Sequence, residues 1–321
     1  MAYKTPLYPE IEPCQHFFLQ TGSAHSIYVE VSGNPDGLPV VFLHGGPCSG
    51  TRPIQRRFFD PHKYRIILFD QRACGRSLPF GDLQNNTTQD LIADMERIRQ
   101  HLGISKWLLF GGSWGAALAL LYAQQHSQRV AGMILRGVFL ARQKDLDWFI
   151  REGAGRIYPE QWQCLQACIP AANSSQDLIA GLNKTLWDEN ASVCIRAAQA
   201  WSDWGSQVAV GADFNAQPVA EADRQKLLQQ TRMELHYAAQ RYFIAENQIL
   251  VHCGALQAVP AIIIHGRYDL VCPLESGHSL HQALPHAEFQ VLPHAGHIAE
   301  GKEMLAALLA ASDKMAKQLL D

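Results

Sequence analysis

Three side chains of this sequence are of the types that act together in acyl transfer. Ser113 stands in a Gly-x-Ser-x-Gly pattern, and Asp269 and His297 each follow a short apolar run much later in the chain. A serine hydroxyl attacks a carbonyl carbon when a histidine takes its proton and a carboxylate orients that histidine. The three residue types therefore predict a serine nucleophile with its base and orienting acid.

The serine pattern lies in the context that such a nucleophile requires. An apolar run that starts at Leu108 precedes Ser113, and a segment rich in Ala and Leu follows Gly115. This order predicts a buried strand, a sharp turn and a helix, which is the nucleophile elbow. Gly111 and Gly115 lack Cβ atoms, so the strand and the helix can approach closely around the turn. The pattern alone also occurs in ordinary tight turns, and its partners therefore carry the prediction.

The partners follow in the order Ser, Asp, His that α/β-hydrolases use. We expect Ser113, Asp269 and His297 each to follow a strand. This placement is typical of a site, because sites in open parallel sheets form at the carboxyl ends of strands. His294 is a competing base, two residues after the last apolar run. His297 is preferred because a Gly-His pair ahead of the closing helix places the ring on a loop that faces Ser113.

A second glycine-rich stretch supplies candidate donors for the reacting oxygen. His44-Gly45-Gly46-Pro47 follows the apolar run 39–43. Its backbone N–H groups are not crowded by side chains, and we expect those of Gly46 and Trp114 to converge on a developing oxyanion. Losing one such donor typically costs about 3–4 kcal/mol of transition-state stabilisation.

Composition excludes several other classes of protein. The chain has 321 residues, of which 47% are hydrophobic and 18% charged, and its formal net charge is −3. It therefore shows no basic surface for nucleic acid, and no apolar run is long enough to span a membrane. Residues 1–6 show no apolar stretch, so we expect no secretory signal, and the eight cysteines lack metal-type pairs. We expect reduced thiols in a cytoplasmic protein, with no metal and no cofactor.

The remaining apolar runs predict the architecture. Strand-like runs at 39–43, 64–70, 130–137 and 261–266 alternate with helical segments, as in a mainly parallel sheet flanked by helices. From about 140 to 240 these runs vanish and several tryptophans appear. The sequence therefore predicts a hydrolase core from residues 1–139 and 241–321, with a helical cap from 140–240.

These motifs resemble those of the proline iminopeptidases, which have the α/β-hydrolase fold. The matching segments are His44-Gly45-Gly46-Pro47, Asp70-Gln71-Arg72, Gly75-Arg76-Ser77, Gly111-Gly112-Ser113-Trp114-Gly115, Leu135-Arg136-Gly137, Gly266-Arg267-Tyr268-Asp269 and Gly296-His297. Together they run through nearly the whole chain. The resemblance implies an enzyme that removes an N-terminal proline from a small peptide or an aminoacyl amide, with Ser113 forming an acyl-enzyme.

The resemblance also implies substrate-binding residues, and there the chain departs from the family. Glu234 matches a family glutamate that binds the free amino terminus, and Gly45 and Trp204 are further expected contacts. A second family glutamate is replaced here by Gly205. Asp203 or Asp213 are candidates to substitute for it.

A smaller departure lies beside the expected oxyanion donor. The family usually has two glycines after the His-Gly-Gly-Pro proline, where this chain has Cys48 and Ser49. Gly46 is retained, so we expect the chemistry to survive.

Two other functions stay open from the sequence. Gly205 favours an esterase or amidase that acts on small acyl substrates, and an α/β-hydrolase-fold binding protein without catalysis is the further alternative. The intact Ser113, Asp269 and His297 argue against the latter. The sequence predicts a small peptide or aminoacyl substrate and no nucleic-acid or membrane partner, and it gives no oligomeric state.

Overall fold

An eight-stranded sheet forms the centre of the computed structural model, which describes residues 7–321. The strands are β1 Gln15–Gln20, β2 Ser26–Gly33, β3 Leu38–Leu43, β4 Tyr64–Phe69, β5 Trp107–Ser113, β6 Val130–Val138, β7 Ala261–Gly266 and β8 Glu288–Leu292. Their order across the sheet is β1-β2-β4-β3-β5-β6-β7-β8. Neighbours from β4 to β8 run parallel, which confirms the mainly parallel sheet.

The first two strands are the antiparallel part of the sheet. β1 and β2 form a hairpin because a turn around Gly22 reverses the chain. β2 also pairs antiparallel with β4. This hairpin lies at the edge away from β5 and β7, so the strands that carry the candidate site residues belong to the parallel part.

Eleven α-helices lie in the described chain. They are α1 Thr88–His101, α2 Trp114–Gln125, α3 Gln143–Asp147, α4 Ala154–Ile157, α5 Pro159–Gln166, α6 Ser175–Thr185, α7 Ala191–Val210, α8 Arg224–Ala239, α9 Gln248–Val251, α10 Leu274–Ala283 and α11 Lys302–Leu320. Thr87 caps α1 by accepting the backbone N–H of Asp90. None of the described helices is long and apolar enough to cross a membrane.

Both faces of the sheet are covered, which explains why the central strands are apolar throughout. On β5, Leu109 points into the core beneath α1 and α2, and Phe110 points into the core beneath α11. Successive side chains of a strand point to opposite faces, so a strand buried on both sides needs a continuous apolar run.

Between β6 and β7 the described chain is helical. Helices α3 to α9 occupy this stretch, and α7 packs against α8. Trp201 and Trp204 of α7 are buried in the same apolar cluster as α2. The inserted helices are therefore continuous with the core on the face that carries α2, and they reach the end of β5 where Ser113 lies.

Candidate active site

Ser113 occupies a strained turn between β5 and α2. Its backbone has φ 58° and ψ −124°, a conformation that costs a non-glycine residue about 1–3 kcal/mol. A Cβ atom at Gly111 would lie 2.3 Å from the carbonyl oxygen of Gly115, and one at Gly115 would lie 2.0 Å from that of Leu43. Both glycines are therefore required sterically, and the turn presents the Ser113 side chain at the end of the sheet.

His297 and Asp269 form a hydrogen-bonded pair beside this turn. The Nδ1 of His297 donates to Oδ2 of Asp269 at 2.8 Å. The carboxylate also accepts the backbone N–H groups of Val271 at 3.0 Å and Cys272 at 2.8 Å. Burial by itself raises the pKa of the Asp269 carboxyl. His297 and these hydrogen bonds lower that pKa by a larger amount, so the pKa stays below its usual value. Asp269 is thus a fixed anion that orients the imidazole.

The competing base His294 lies elsewhere. Its side chain is exposed, and its backbone N–H donates to Glu303 at 3.1 Å. Among the described residues, only His297 of the two forms a hydrogen bond with Asp269. The preference for His297 over His294 agrees with this geometry.

The end of β6 makes room for the Asp269–His297 pair. Gly137 has φ +50°, and a Cβ there would lie 2.9 Å from Oδ2 of Asp269 and 3.4 Å from Nδ1 of His297. The preceding Arg136 donates from Nη1 to the backbone carbonyl of His297. The Leu-Arg-Gly motif therefore supports the histidine loop by a small residue on one side and a hydrogen bond on the other.

Ser113 lies at the boundary of two cavities. The large cavity, of about 760 Å³, is lined by Ser113, His297, Gly45, Gly46 and Arg136 among others. The small cavity, of about 90 Å³, is lined by Ser113, Gly46 and Trp114 together with residues of the inserted helices. A substrate with its carbonyl carbon at Ser113 can therefore place one end in each cavity.

Aromatic side chains form most of the small cavity's wall. Phe139, Phe149, Trp201 and Tyr242 line it beside Trp114, and Trp114 stacks on Tyr242 with ring centroids 5.3 Å apart. Glu234 is the one acidic residue in the lining. The small cavity thus combines an apolar surface with a single carboxylate.

Glu234 is held by Trp201 from the neighbouring helix. The indole N–H of Trp201 donates to Oε2 of Glu234 at 2.7 Å. Burial raises the pKa of the Glu234 carboxyl, and the Trp201 hydrogen bond only partly offsets this effect. The side chain is partly accessible because it faces the small cavity. The cavity therefore holds a carboxylate that lacks a cationic partner among the described residues.

The structure does not bring Trp204 into the small cavity. Trp204 is buried, and it lines a different cavity of about 730 Å³ together with Asp203. Asp203 accepts from Gln199 at 2.7 Å, and Asp213 is exposed. Neither aspartate lines a cavity beside Ser113, so neither takes the place of the glutamate missing at Gly205.

Gly205 itself lies close to the small cavity. A Cβ atom added there would meet only Cζ of Phe149, at 4.0 Å, and Phe149 lines the cavity. Position 205 follows Trp201 by one helical turn of α7, so the two share a helix face. A longer side chain at position 205 could therefore begin without a clash at its Cβ atom.

Two expected oxyanion donors lie next to Ser113. Gly46 has φ +110° and lines both cavities, and Trp114 is the first residue of α2, where a backbone N–H has no helical acceptor. Gln71 ties these two segments together. It accepts the Trp114 indole N–H at 2.9 Å and donates from Nε2 to the His44 carbonyl at 2.9 Å. This bridge gives the Asp-Gln-Arg motif a structural role.

One group of described residues has the donor types of a metal site. Donor atoms of Asp269, Cys272 and His297 lie within 4.8 Å of one another. The Asp269 oxygens, however, already accept three N–H groups, and burial raises the pKa of the Cys272 thiol well above its usual value. A metal needs the thiolate, so the hydrogen-bonded pair accounts for this cluster better.

Sequence reasoning missed several residues of the small cavity. They are Phe139, Phe149, Trp201, Tyr242 and Cys272. Tyr242 has a left-handed backbone with φ 54°, which no local pattern announces. For Trp201 a signal was present, because it stands one helical turn before Gly205 on a helix opposite Glu234.

The chain is similar to known proteins in both sequence and fold. Residues 39–162 match the family model of the alpha/beta hydrolase fold. A solved esterase from Exiguobacterium antarcticum has a TM-score of 0.61 at 20% identity, covering 96% of this chain and 100% of that one. The fold is therefore that of the α/β hydrolases, as predicted.

Closer relatives define the family. The probable proline iminopeptidase of Leptolyngbya boryana is 44% identical over 97% of both chains. The proline iminopeptidase of Neisseria meningitidis serogroup A is 44% identical over 98% of this chain and 100% of its own. The chain belongs to the proline iminopeptidase family, which confirms the resemblance seen in the motifs.

Proposed function

We propose that the protein is a serine aminopeptidase that releases an N-terminal residue, with proline preferred, from short peptides and aminoacyl amides. The observation that carries the proposal is the small cavity beside Ser113, with its aromatic wall and the single carboxylate of Glu234. Membership of the proline iminopeptidase family supports the same activity.

The small cavity suits the N-terminal residue. Its volume of about 90 Å³ is well below the ~300–1,000 Å³ of pockets for larger ligands, so it accepts one small ring and no further residue. A free amino terminus has an unperturbed pKa of about 7.7–8.0 and is mostly protonated at neutral pH. Glu234 supplies the negative charge that this cation needs once it leaves water.

The proposed catalytic residues are Ser113, His297 and Asp269. His297 takes the Ser113 proton as the hydroxyl attacks the carbonyl carbon, and Asp269 stabilises the imidazolium that forms. The N–H groups of Gly46 and Trp114 bind the developing oxyanion. His297 then protonates the leaving amine, and a water molecule, deprotonated by the same histidine, hydrolyses the acyl-enzyme.

We further propose that residues 140–240 act as a cap over this site. α7 and α8 supply Trp201 and Glu234, so the inserted helices would close the pocket for the amino-terminal residue. The remaining 1–139 and 241–321 would form the catalytic core, of which residues 1–6 lie outside the described part of the chain. A cytoplasmic location stays a prediction from the sequence.

A matched substrate pair tests the function. We expect prolyl p-nitroanilide to be hydrolysed and its N-acetyl form to be a poor substrate, with Ser113→Ala abolishing turnover. Glu234→Gln should lower kcat/KM for the free amine at least about tenfold more than for the acetylated form. Asp203→Asn is the control, because this carboxylate lies in the other cavity.

The alternative is an esterase or amidase for small acyl groups, favoured by the glycine at position 205. Under that alternative the acetylated substrate would be hydrolysed as well as the free amine, or better, and Glu234→Gln would change both equally. Either result would reject the aminopeptidase proposal. Absence of turnover on every acyl substrate would favour the remaining alternative, a binding protein without catalytic activity.

A further inference from the structure

The large cavity contains a guanidinium that has no carboxylate partner among the described residues. Arg136 lines this cavity together with Ser113 and His297, and its side chain is only partly accessible. One of its nitrogens, Nη1, donates to the backbone carbonyl of His297. No carboxylate of the described chain forms an ion pair with it within the 4.0 Å that defines one.

The position of Arg136 next to the reacting groups is set by the sheet. Arg136 of β6 pairs with Gly112 of β5, the residue before Ser113. A Cβ atom at Gly112 would lie only 2.4 Å from Nη2 of Arg136, so the guanidinium lies directly against the strand that ends at the nucleophile. The guanidinium therefore contacts the backbone at two places: at Gly112, next to the nucleophile, and at His297, the proposed base.

A guanidinium in this environment favours an anionic ligand. A guanidinium has five N–H donors, and the His297 carbonyl uses only one of those groups. Buried charges are normally paired, because removing an unpaired charge from water is unfavourable. The carboxylate of Asp269 raises the pKa of Arg136, but burial lowers it more. Asp269 is already bonded to His297, so it does not neutralise the guanidinium.

We propose that Arg136 binds the C-terminal carboxylate of the leaving residue, and that free dipeptides with an N-terminal proline are the preferred substrates. This inference rests on the proposed function. In a dipeptide, a single Cα separates the leaving nitrogen from the carboxylate. The atom that His297 protonates and the carboxylate that Arg136 binds are therefore close together, which suits a guanidinium that lies beside the His297 loop. A guanidinium fork matches a carboxylate with two parallel hydrogen bonds.

The rest of the large cavity fits the side chain of that leaving residue. Phe42, Phe58, Phe110 and Leu305 give it an apolar floor, and its volume of about 760 Å³ holds a large side chain. The pocket thus pairs one buried cation with apolar surface, which matches a single amino acid with a free carboxylate and an apolar side chain.

A second cation at this cavity provides the control. Arg52 lines the same cavity, but its side chain is 67% exposed and lies 3.6 Å from Glu300. An exposed, paired arginine contributes little to binding. Arg52→Met therefore removes a positive charge from the same cavity without removing the guanidinium that faces the leaving residue.

The experiment compares kcat/KM for Pro-Leu with that for Pro-Leu-amide, which differ only in the carboxylate. We expect the wild type to prefer Pro-Leu by at least about tenfold. Arg136→Met should abolish this preference, Arg136→Lys should reduce it, and Arg52→Met should keep it. Binding of the same two peptides to Ser113→Ala, measured by calorimetry, should show the same preference without turnover.

Several outcomes would overturn the inference. One is equal kcat/KM of the wild type for the two peptides, which needs no variant to fold. Another is an Arg136→Met or Arg136→Lys enzyme that loses activity on both peptides while keeping the wild-type preference. That result would show that Arg136 only supports the His297 loop and does not bind the carboxylate. Failure of the proposed function is distinct, since it would appear as equal turnover of prolyl p-nitroanilide and its N-acetyl form, or as hydrolysis of neither peptide.

Discussion

Trp201 of α7 and Glu234 of α8 are joined by a hydrogen bond of 2.7 Å from the indole N–H to Oε2. The bond fixes the carboxylate at the wall of the small cavity, yet it supplies no positive charge. Glu234 therefore lies in an environment that opposes its ionisation, and burial raises its pKa above the usual value. A bound ammonium would provide the missing counter-charge.

Glu234→Gln should stabilise the free protein at neutral and alkaline pH. The raised pKa means that the folded state binds a proton more tightly than the unfolded chain does. Stability from this group is complete below the unfolded pKa of about 4.3, and it is lost as pH rises through the folded pKa. Glutamine keeps an acceptor for Trp201 but does not ionise, so it avoids this loss.

Thermal unfolding of the two proteins at several pH values checks this prediction. The Tm advantage of Glu234→Gln should grow as pH rises above the unfolded pKa of about 4.3, and it should level off once the folded carboxyl has ionised. Asp213→Asn is the control, because this carboxylate lies on the same inserted stretch but is exposed. A difference in Tm that is the same at every pH would show that ionisation of Glu234 does not contribute.

Ser113→Ala, His297→Ala and Asp269→Ala should each lower kcat by at least about 10³-fold, because the three side chains act as one unit. Double variants should lose little more than the worse single variant. His294→Ala, whose exposed ring makes no contact with Asp269, should keep nearly full activity. Steady-state kinetics on one chromogenic prolyl substrate decides between the two histidines. Loss of activity in His294→Ala with activity kept in His297→Ala would contradict the assignment.

Gly137→Ala should impair catalysis through the Asp269–His297 pair. The added Cβ would lie 2.9 Å from Oδ2 of Asp269, so the carboxylate or the ring must move. A displacement near 1 Å costs about 10²-fold in rate, and we expect a fall in kcat of this order with little change in KM. The assay measures both constants on the prolyl substrate.

The control for Gly137→Ala separates steric contact from backbone strain. Gly103 also has a positive φ, of +65°, but a Cβ there would meet nothing within 4 Å. Gly103→Ala should therefore lower stability by about 1–2 kcal/mol and leave kcat unchanged. Equal kcat losses in the two variants would mean that global destabilisation, rather than the active-site contact, explains Gly137→Ala.

The sequence predicted those parts of the molecule that local patterns determine. The apolar strand β7 follows from residue types that a short segment fully specifies. The pairing of Asp269 with His297 followed from chain order, since both stand just after parallel strands whose carboxyl ends meet. These features need no knowledge of how distant helices pack.

The pocket residues were harder because they depend on tertiary packing. Trp201 and Trp204 lie on the same helix, and only the rotation of α7 against α8 decides which indole reaches Glu234. Tyr242 enters the cavity wall from a left-handed turn. The environment of Arg136 was equally hidden, since the sequence shows a Leu-Arg-Gly motif but not that its guanidinium lacks a carboxylate partner.

Gly205→Glu should strengthen recognition of the free amino terminus. A Cβ at this position contacts only Cζ of Phe149, at 4.0 Å, so the side chain can begin without a clash. It lies one turn after Trp201 on α7, on the face that carries the Glu234 hydrogen bond. A second carboxylate there would share the ammonium with Glu234. We expect kcat/KM for prolyl p-nitroanilide to rise about tenfold, with the main change in KM, and no gain for the N-acetyl form.

Two control variants isolate the charge in this last prediction. Gly205→Gln has the same size without ionisation, and Gly205→Ala measures the helix stabilisation of about 1 kcal/mol that any replacement of glycine brings. Neither should improve the free-amine substrate. In the Glu234→Gln background, Gly205→Glu should restore part of the lost activity, since one carboxylate again faces the amine. Equal gains for Gly205→Gln and Gly205→Glu, or a gain on the acetylated substrate, would show that filled volume rather than charge is responsible.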